Sequence, residues 1–228
     1  MKIKHLILHT NRLSEQKHFY QNVLGFVIDE ESENAFSVQV GWTTIEFRAS
    51  AEAHLYHYCF LIPSNKLEEA LEWMEAKVDI IDTGGNEKIT FFETWNAHSF
   101  YFYDGAGNIA ECIVRHDLDN TSTSPFRLSD LLCVNEIGMP TDDIIFSVKE
   151  LQNTCGIPLW RGDMERFGAS GSEEGLFLLP NYRKKDIWFP TDINIQRAPF
   201  SIVFENKGSE YSFDYIDGQI VELKTIKL

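Results

Sequence analysis

The chain has 228 residues, of which 43% are hydrophobic and 13% aromatic, so it can fold as one compact unit or two small domains and is neither disordered nor fibrous. Twenty basic residues against thirty-five acidic ones give a formal net charge of −15, and the sequence holds no Lys/Arg cluster that could follow a phosphate backbone. Composition therefore argues against nucleic acid and anionic membranes as partners. A small-molecule substrate or another protein is expected instead.

The amino-terminal sequence and the cysteines bear on the compartment. MKIKHLILHTNRLS lacks the long apolar core and the small-residue cleavage site of a signal peptide, and no apolar run approaches the length that spans a bilayer. The four cysteines have no CxxC spacing, which supports neither a disulfide framework nor a thiolate zinc site. We therefore expect a cytoplasmic protein with reduced cysteines.

The first half of the chain repeats one order of elements. Residues 3–9 predict a strand, RLSEQKHFYQNVLGF predicts a helix closed by Gly25, and three short strands follow as FVIDEE, AFSVQV and TTIEFR. YHYCFLIP then predicts a strand, SNKLEEALEWMEAK an amphipathic helix, and KITFFET, AHSFYFY and NIAECIV three more strands. The sequence therefore predicts tandem βαβββ modules, residues 1–52 and 53–116, within an α+β fold.

The second half predicts a linker and a diverged third module. Residues 117–128 include DLDNTSTSP, which is polar and rich in turn-forming residues. Residues 129–228 again predict a strand (LLCVNEIGM), a helix (TDDIIFSVKELQNTCGIP) and further strands, with an irregular insertion, LWRGDMERFGASGSE. We interpret this region as a third, less regular βαβββ-like module.

Glu111 raises the question of a functional site. By the period of two it shares a strand face with Ile109 and Ile113, and a buried charge costs several kcal/mol unless it is paired or bound to a metal. Aligning the two modules places His5 opposite His57 and Glu46 opposite Glu111. Two imidazoles and two carboxylates suit Ni, Zn, Co, Mn or Fe(II), and the lack of a thiolate indicates a catalytic rather than a structural site.

These residues also carry a family resemblance. The repeated module, the helix ending FYQNVLGF and the turn and strand FYFYDGAGNIAECI resemble the vicinal oxygen chelate superfamily, also called the glyoxalase, bleomycin-resistance and extradiol-dioxygenase superfamily. The resemblance covers residues 1–115 well and residues 129–228 only in outline. One departure is DGAGN where the family usually has DPDGN, which keeps the glycine and loses the proline.

The resemblance implies a fold and a ligand set. Paired modules of that superfamily curl into an incomplete barrel whose cleft holds a divalent metal. Its ligand positions fall on His5, Glu46, His57 and Glu111, and this full set looks most like glyoxalase I.

The implied function is metal-assisted isomerisation or lyase chemistry on a small oxygen-chelating substrate, with Glu46 or Glu111 as general base. One alternative is an Fe(II) extradiol ring-cleaving dioxygenase, in which His5, His57 and Glu111 would hold the iron. The other is a non-catalytic small-molecule binder of the bleomycin-resistance kind. Fold alone does not choose among the three.

Two further expectations concern the surroundings of the cleft. His98, Tyr101 and Tyr103 lie on the strand before the DGAGN turn, and because the family's cleft is lined partly from such strands, we expect them to bind substrate. The third module has no histidine in its first strand, although Glu222 matches Glu111 in position. We expect residues 129–228 either to pair with their counterpart in a second chain, giving a homodimer, or to pack over the cleft as a lid.

Overall fold

The computed structural model describes residues 1–227, which form two β-sheets and three α-helices. The first module consists of β1 (Lys2–Thr10), α1 (Leu13–His18) continued by a π-helix (Phe19–Leu24), β2 (Ile28–Ser32), β3 (Ala35–Val40) and β4 (Thr43–Ala49). The second consists of β5 (His57–Leu61), α2 (Leu67–Glu75), β6 (Thr90–Phe92), β7 (Ala97–Tyr103) and β8 (Ile109–Arg115). The predicted α+β fold of repeated βαβββ modules is confirmed.

The remaining strands fall into two groups. The first group repeats the module order, with β9 (Cys133–Gly138), α3 (Ile144–Cys155), β10 (Leu159–Gly162), β11 (Phe167–Ser172) and β12 (Gly175–Pro180). The second is an antiparallel meander of β13 (Phe200–Asn206), β14 (Ser209–Ile216) and β15 (Gln219–Lys227). A loop, residues 181–199, connects the two groups.

Each sheet combines an early module with a late segment of the chain. Sheet 1 has the order β15-β14-β13-β1-β4-β3-β2, and sheet 2 has the order β10-β11-β12-β9-β5-β8-β7-β6. The central antiparallel pairs are β1 with β13 and β5 with β9. The two N-terminal modules therefore lie in different sheets, and each is completed by strands from residues 129–228 of the same chain. The division at residues 117–128 and the homodimer stay predictions.

One apolar core lies between the sheets. Its largest cluster contains side chains of both sheets and of all three helices. On β1, Leu6 and Leu8 point into this core, so His5 and Ile7 point to the opposite, outer face. On β5, Tyr58 and Phe60 point into the core, and His57 faces the outer side of sheet 2. The two histidines of the repeat therefore face away from each other.

The DGAGN turn holds β8 in place through a buried carboxylate. One Asp104 oxygen accepts hydrogen bonds from Gln16 Nε2 at 2.5 Å, the Tyr58 hydroxyl at 2.7 Å and Asn108 Nδ2 at 2.8 Å. The other accepts from the backbone N–H groups of Ala106 and Asn108. Burial raises the pKa of the Asp104 carboxyl, although these bonds oppose the rise. The turn thus forms without the family's usual proline.

No helix within residues 1–227 is both long enough and apolar enough to span a bilayer.

Candidate metal centre

Three potential metal ligands converge on the outer face of sheet 2. They are His57 on β5, Glu111 on β8 and Glu136 on β9, all buried, and one ligand atom from each lies within 4.8 Å of the others. His57 Nε2 is 3.3 Å from a Glu111 oxygen. Among residues 1–227 this is the only group of three or more such residues that close together.

Strand pairing and a β-bulge place the two glutamates. β8 runs parallel to β5, and Glu111 lies opposite Cys59 on the same face as His57. On the other side of β5, Cys59 pairs with Glu136 whereas Phe60 pairs with Val134. Asn135 is therefore the extra residue of a bulge, which lets Asn135 and Glu136 both face the site.

Arg115 connects β8 to the bulge. Its Nε donates to Asn135 Oδ1 at 3.0 Å, and its Nη2 donates to a Glu136 oxygen. The guanidinium is fully buried and lies over the rings of Trp95, at 5.7 Å, and Trp160, at 5.2 Å. Cation–π contacts and hydrogen bonds thus replace water around part of this charge, whereas Nη1 has no hydrogen-bond partner in the described structure.

The electrostatics of the cluster favour a bound cation. Burial, followed by the negative charge of Glu111, raises the pKa of Glu136 to about 7, while Arg115 and His57 act in the opposite direction. Burial also raises the pKa values of Cys59 and Tyr101. A cation bound between Glu111 and Glu136 would therefore offset the repulsion between their carboxylates.

The cluster opens into a cavity of about 270 Å³ with mostly aromatic walls. Besides His57, Glu111 and Glu136, the cavity is lined by Phe92, Trp95, Tyr101, Ile113, Phe167, Leu178, Lys185, Trp188 and Phe189. Three of these residues, Lys185, Trp188 and Phe189, belong to the loop 181–199, so residues of the predicted third module line this cavity. The Trp188 ring centroid is 5.1 Å from that of His57.

The ligand set expected from the sequence is divided between the sheets. His5 Nε2 lies 3.1 Å from a Glu46 oxygen in sheet 1, and Arg48 Nε donates to the other Glu46 oxygen at 2.6 Å. The four residues therefore form two separate pairs, because β1 pairs with β13 and not with a strand of the second module. An extradiol site built from both imidazoles and Glu111 would need them on one ion, which this arrangement does not provide.

The expected substrate-binding residues have different locations. Tyr101 is buried and lines the cavity. Tyr103 shares its face but is 43% exposed and does not line the cavity. His98 is on the opposite face of β7, where its Nδ1 lies 2.8 Å from His116 Nε2. Glu222 lies in sheet 1 and lines a cavity there with His5.

The expected set omitted Glu136 and Arg115. Glu136 had the same signal as Glu111, since it is an acidic residue within the apolar run LLCVNEIGM. Arg115 follows Glu111 and Ile113 on alternate positions of β8 and so shares their face. β9 contains no histidine and supplies only a carboxylate, so it lacks the His and Glu pairing by which the first two modules indicate a site.

The donor set fits a divalent ion. Imidazole nitrogen and carboxylate oxygen bind Ni, Zn, Co, Mn and Fe(II), and two such ligands at about 2.1 Å from one ion lie about 3 to 4 Å apart. The observed separation of up to 4.8 Å needs only a small contraction. His57 Nδ1 is buried without a partner in the described structure, so this histidine is not fully satisfied by protein groups alone.

Comparison with known proteins defines the fold. No family model matches the sequence, and no curated protein matches it. A Bacillus subtilis structure described as a "putative dioxygenase" has a TM-score of 0.61 at 15% identity, covering 99% of this chain and 84% of that one. A glyoxalase I mutant from Zea mays has a TM-score of 0.52 at 13% identity, covering 78% and 67%. Together with the two sheets built from βαβββ modules, these similarities show that the chain has the fold of the vicinal oxygen chelate superfamily.

Proposed function

We propose that the chain is a metal-dependent enzyme that binds a small molecule through two adjacent oxygens and catalyses isomerisation or lyase chemistry in the cavity of sheet 2. The observation that carries this proposal is the convergence of His57, Glu111 and Glu136 at the base of an aromatic cavity. Burying a carboxylate costs free energy unless a positive charge compensates it. Buried acidic groups with shifted pKa values in a cavity are typical of functional sites.

The charge balance of the site supports an anionic, oxygen-rich ligand. A divalent cation held by neutral His57 and two carboxylates is formally neutral, and buried Arg115 adds one positive charge. A substrate whose chelating oxygens develop negative charge, such as the enolate of a hydroxyketone, would be stabilised by this positive charge, and proton transfer to a carboxylate of the site leaves the net charge unchanged. Low polarity around the site strengthens the attraction.

Each residue of the site has a role in this proposal. His57, Glu111 and Glu136 would hold the ion, which supplies Lewis acidity toward a substrate oxygen. Arg115 orients Glu136 by binding one of its oxygens. We assign the other oxygen to hold the ion in the absence of substrate and, after leaving the ion when substrate binds, to accept the proton from the carbon next to the carbonyl. Trp188 and Tyr101 exclude water from that position. The sequence suggested Glu46 or Glu111 as the base; we propose Glu136 instead, because Glu46 lies in sheet 1 and Glu111 is assigned to the ion.

The experiment has a metal arm and a proton-transfer arm. We expect about one divalent ion per chain in purified protein by elemental analysis, lost in His57→Ala and kept in the matched variant His5→Ala. With 2-hydroxyacetophenone in D₂O, we expect the protein to accelerate C–H exchange measured by NMR. Glu136→Gln should slow this exchange by about 100-fold or more, the usual contribution of a general base, and Glu46→Gln should not.

A metal-free binding protein is the second candidate, and one observation favours it. Arg115 already pairs with Glu136, and His57 Nε2 lies 3.3 Å from a Glu111 oxygen, so each carboxylate of the cluster has a partner without an ion. In that case purified protein contains no metal, 2-hydroxyacetophenone binds equally well with and without EDTA, and the C–H exchange rate stays at the rate in buffer.

A further inference from the structure

We propose that the natural ligand of the sheet 2 cavity is an aromatic compound with a carboxylate at the end remote from the chelating oxygens, and that Lys185 binds this carboxylate. The inference rests on the proposed function of the same cavity and adds the class of ligand and a specificity-determining residue.

Lys185 lies where two cavities meet. It lines the cavity of about 270 Å³ that contains the candidate ligands, and also an outer cavity of about 620 Å³. The outer cavity has mixed charge, since it is lined by Arg166 and Lys184 as well as by Asp82, Asp186 and Asp192. Of the cationic residues in the outer cavity, only Lys185 also reaches the inner one, so it is the residue that can select an anion there.

The Lys185 side chain is held in place by its surroundings. Its Nζ donates to the Ile187 carbonyl at 2.6 Å and lies over the rings of Phe167, at 6.0 Å, and Trp188, at 5.9 Å. An ammonium group has three N–H donors, so two remain for a ligand. No carboxylate of residues 1–227 lies within 4.0 Å of this nitrogen, although the chain has an acidic excess of fifteen.

Partial burial makes this ammonium receptive to an anion. Burial, with a smaller contribution from Arg166, lowers the pKa of Lys185 from its ordinary value. A nearby carboxylate would restore the stability of the charged form. Lys184, the adjacent residue, differs in that it is exposed and lies 3.6 Å from a Glu165 oxygen.

Trp188 connects the ammonium to the metal centre. The same indole lies 5.1 Å from the His57 ring and 5.9 Å from Lys185 Nζ. A planar molecule packed along this indole therefore meets the candidate metal ligands at one end and the ammonium at the other. Tyr101, Phe92 and Phe189 supply further aromatic wall, which favours a ring as the body of the ligand.

The test compares two probes that differ only in the carboxylate. Catechol and 3,4-dihydroxybenzoate are titrated calorimetrically into zinc-loaded protein without oxygen, zinc being redox-inert. We expect 3,4-dihydroxybenzoate to bind about 10-fold or more tightly than catechol, the usual effect of a charged hydrogen bond. Lys185→Met, which keeps the apolar stem, should abolish the preference, Lys185→Arg should keep most of it, and the control Lys184→Met should change it by less than about two-fold.

The outcomes separate this inference from the proposed function. If zinc binds at His57 but both probes bind wild-type protein equally, or if Lys185→Met retains the preference, the inference about Lys185 is wrong. If zinc fails to bind while the carboxylate preference and its dependence on Lys185 persist, the proposed metal-dependent function is wrong and the assignment of Lys185 to the ligand carboxylate stands. If neither zinc nor either probe binds, both are overturned.

Discussion

Glu111 lies diagonally across two parallel strands from His57, with 3.3 Å between a carboxylate oxygen and Nε2. His57 pairs directly with Ile109, and Glu111 pairs with Cys59, so the two side chains meet because they share one face two positions apart. Through this contact Glu111, the acidic residue of β8, is part of a buried cluster. The other part comes from β9, the strand that follows β8 in the chain.

Arg115 should contribute strongly to stability. Replacing it in Arg115→Met leaves Glu136 as a buried carboxylate without its guanidinium partner, and Asn135 loses a donor. We expect the free energy of unfolding to fall by about 3 to 5 kcal/mol in chemical denaturation of metal-free protein. The double variant Arg115→Met/Glu136→Gln should recover part of this loss, because the unpaired charge is gone. A loss under about 1 kcal/mol in the single variant would contradict the buried ion pair.

Asp104 should be similarly important in the DGAGN turn. Asp104→Asn turns one carboxylate oxygen into a donor, whereas that oxygen now accepts from Gln16, Tyr58 and Asn108. Since buried donors without acceptors are costly, we expect a loss of about 2 to 4 kcal/mol in urea unfolding at pH 7. Asp79→Asn, at an exposed position, is the control and should change stability by less than about 0.5 kcal/mol.

The contribution of Asp104 to stability depends on pH in a direction that follows from the sign of its pKa shift. Because burial raises the pKa of the Asp104 carboxyl, the folded state holds the proton more tightly than the unfolded state does. The part of the stability that depends on this proton is therefore fully present below the unfolded pKa of about 3.9 and is lost as pH rises through the folded pKa, whereas the hydrogen bonds to the carboxylate remain. The difference in the free energy of unfolding between wild type and Asp104→Asn should therefore decrease as pH rises through the folded pKa of Asp104. An opposite slope over the acid range would contradict the assigned direction.

Gly138 is needed for the position of Trp188. A Cβ on Gly138 would lie 2.8 Å from Trp188 Cη2 and 3.3 Å from the His57 carbonyl oxygen. We expect Gly138→Ala to displace the indole from the cavity and shift tryptophan emission to longer wavelength. Gly208→Ala, where a Cβ meets open space, should leave the emission unchanged. Unchanged emission in a folded Gly138→Ala protein would show that the loop 181–199 adapts without moving Trp188.

Local patterns in the sequence predict the modules but not how they pair. The alternation around Glu111 and the helical spacing of LEEALEWME depend on neighbouring residues, which the sequence shows directly. The pairing of β1 with β13 joins residues about 200 apart, and no local signal distinguishes it from the expected pairing of the first two modules. Because β1 pairs with β13, His5 and Glu46 lie in sheet 1, apart from His57 and Glu111 in sheet 2.

The direction of the Glu136 side chain depends on a backbone irregularity that the sequence does not show. Strict alternation from Val134, which points into the core, would direct Glu136 into the core as well. The bulge at Asn135 reverses this direction, and a bulge without a glycine signal is not visible in the sequence. The loop 181–199 likewise has no periodicity that would predict its packing over the cavity.

The most direct test of the proposed metal centre is the position of the ion itself. Crystals of protein loaded with Co²⁺ should give an anomalous peak on the outer face of sheet 2, about 2.1 Å from a His57 nitrogen and from oxygens of Glu111 and Glu136. The peak should be absent from His57→Ala crystals and present in those of His5→Ala. A peak at His5 and Glu46 in sheet 1, with none at His57, would contradict the account.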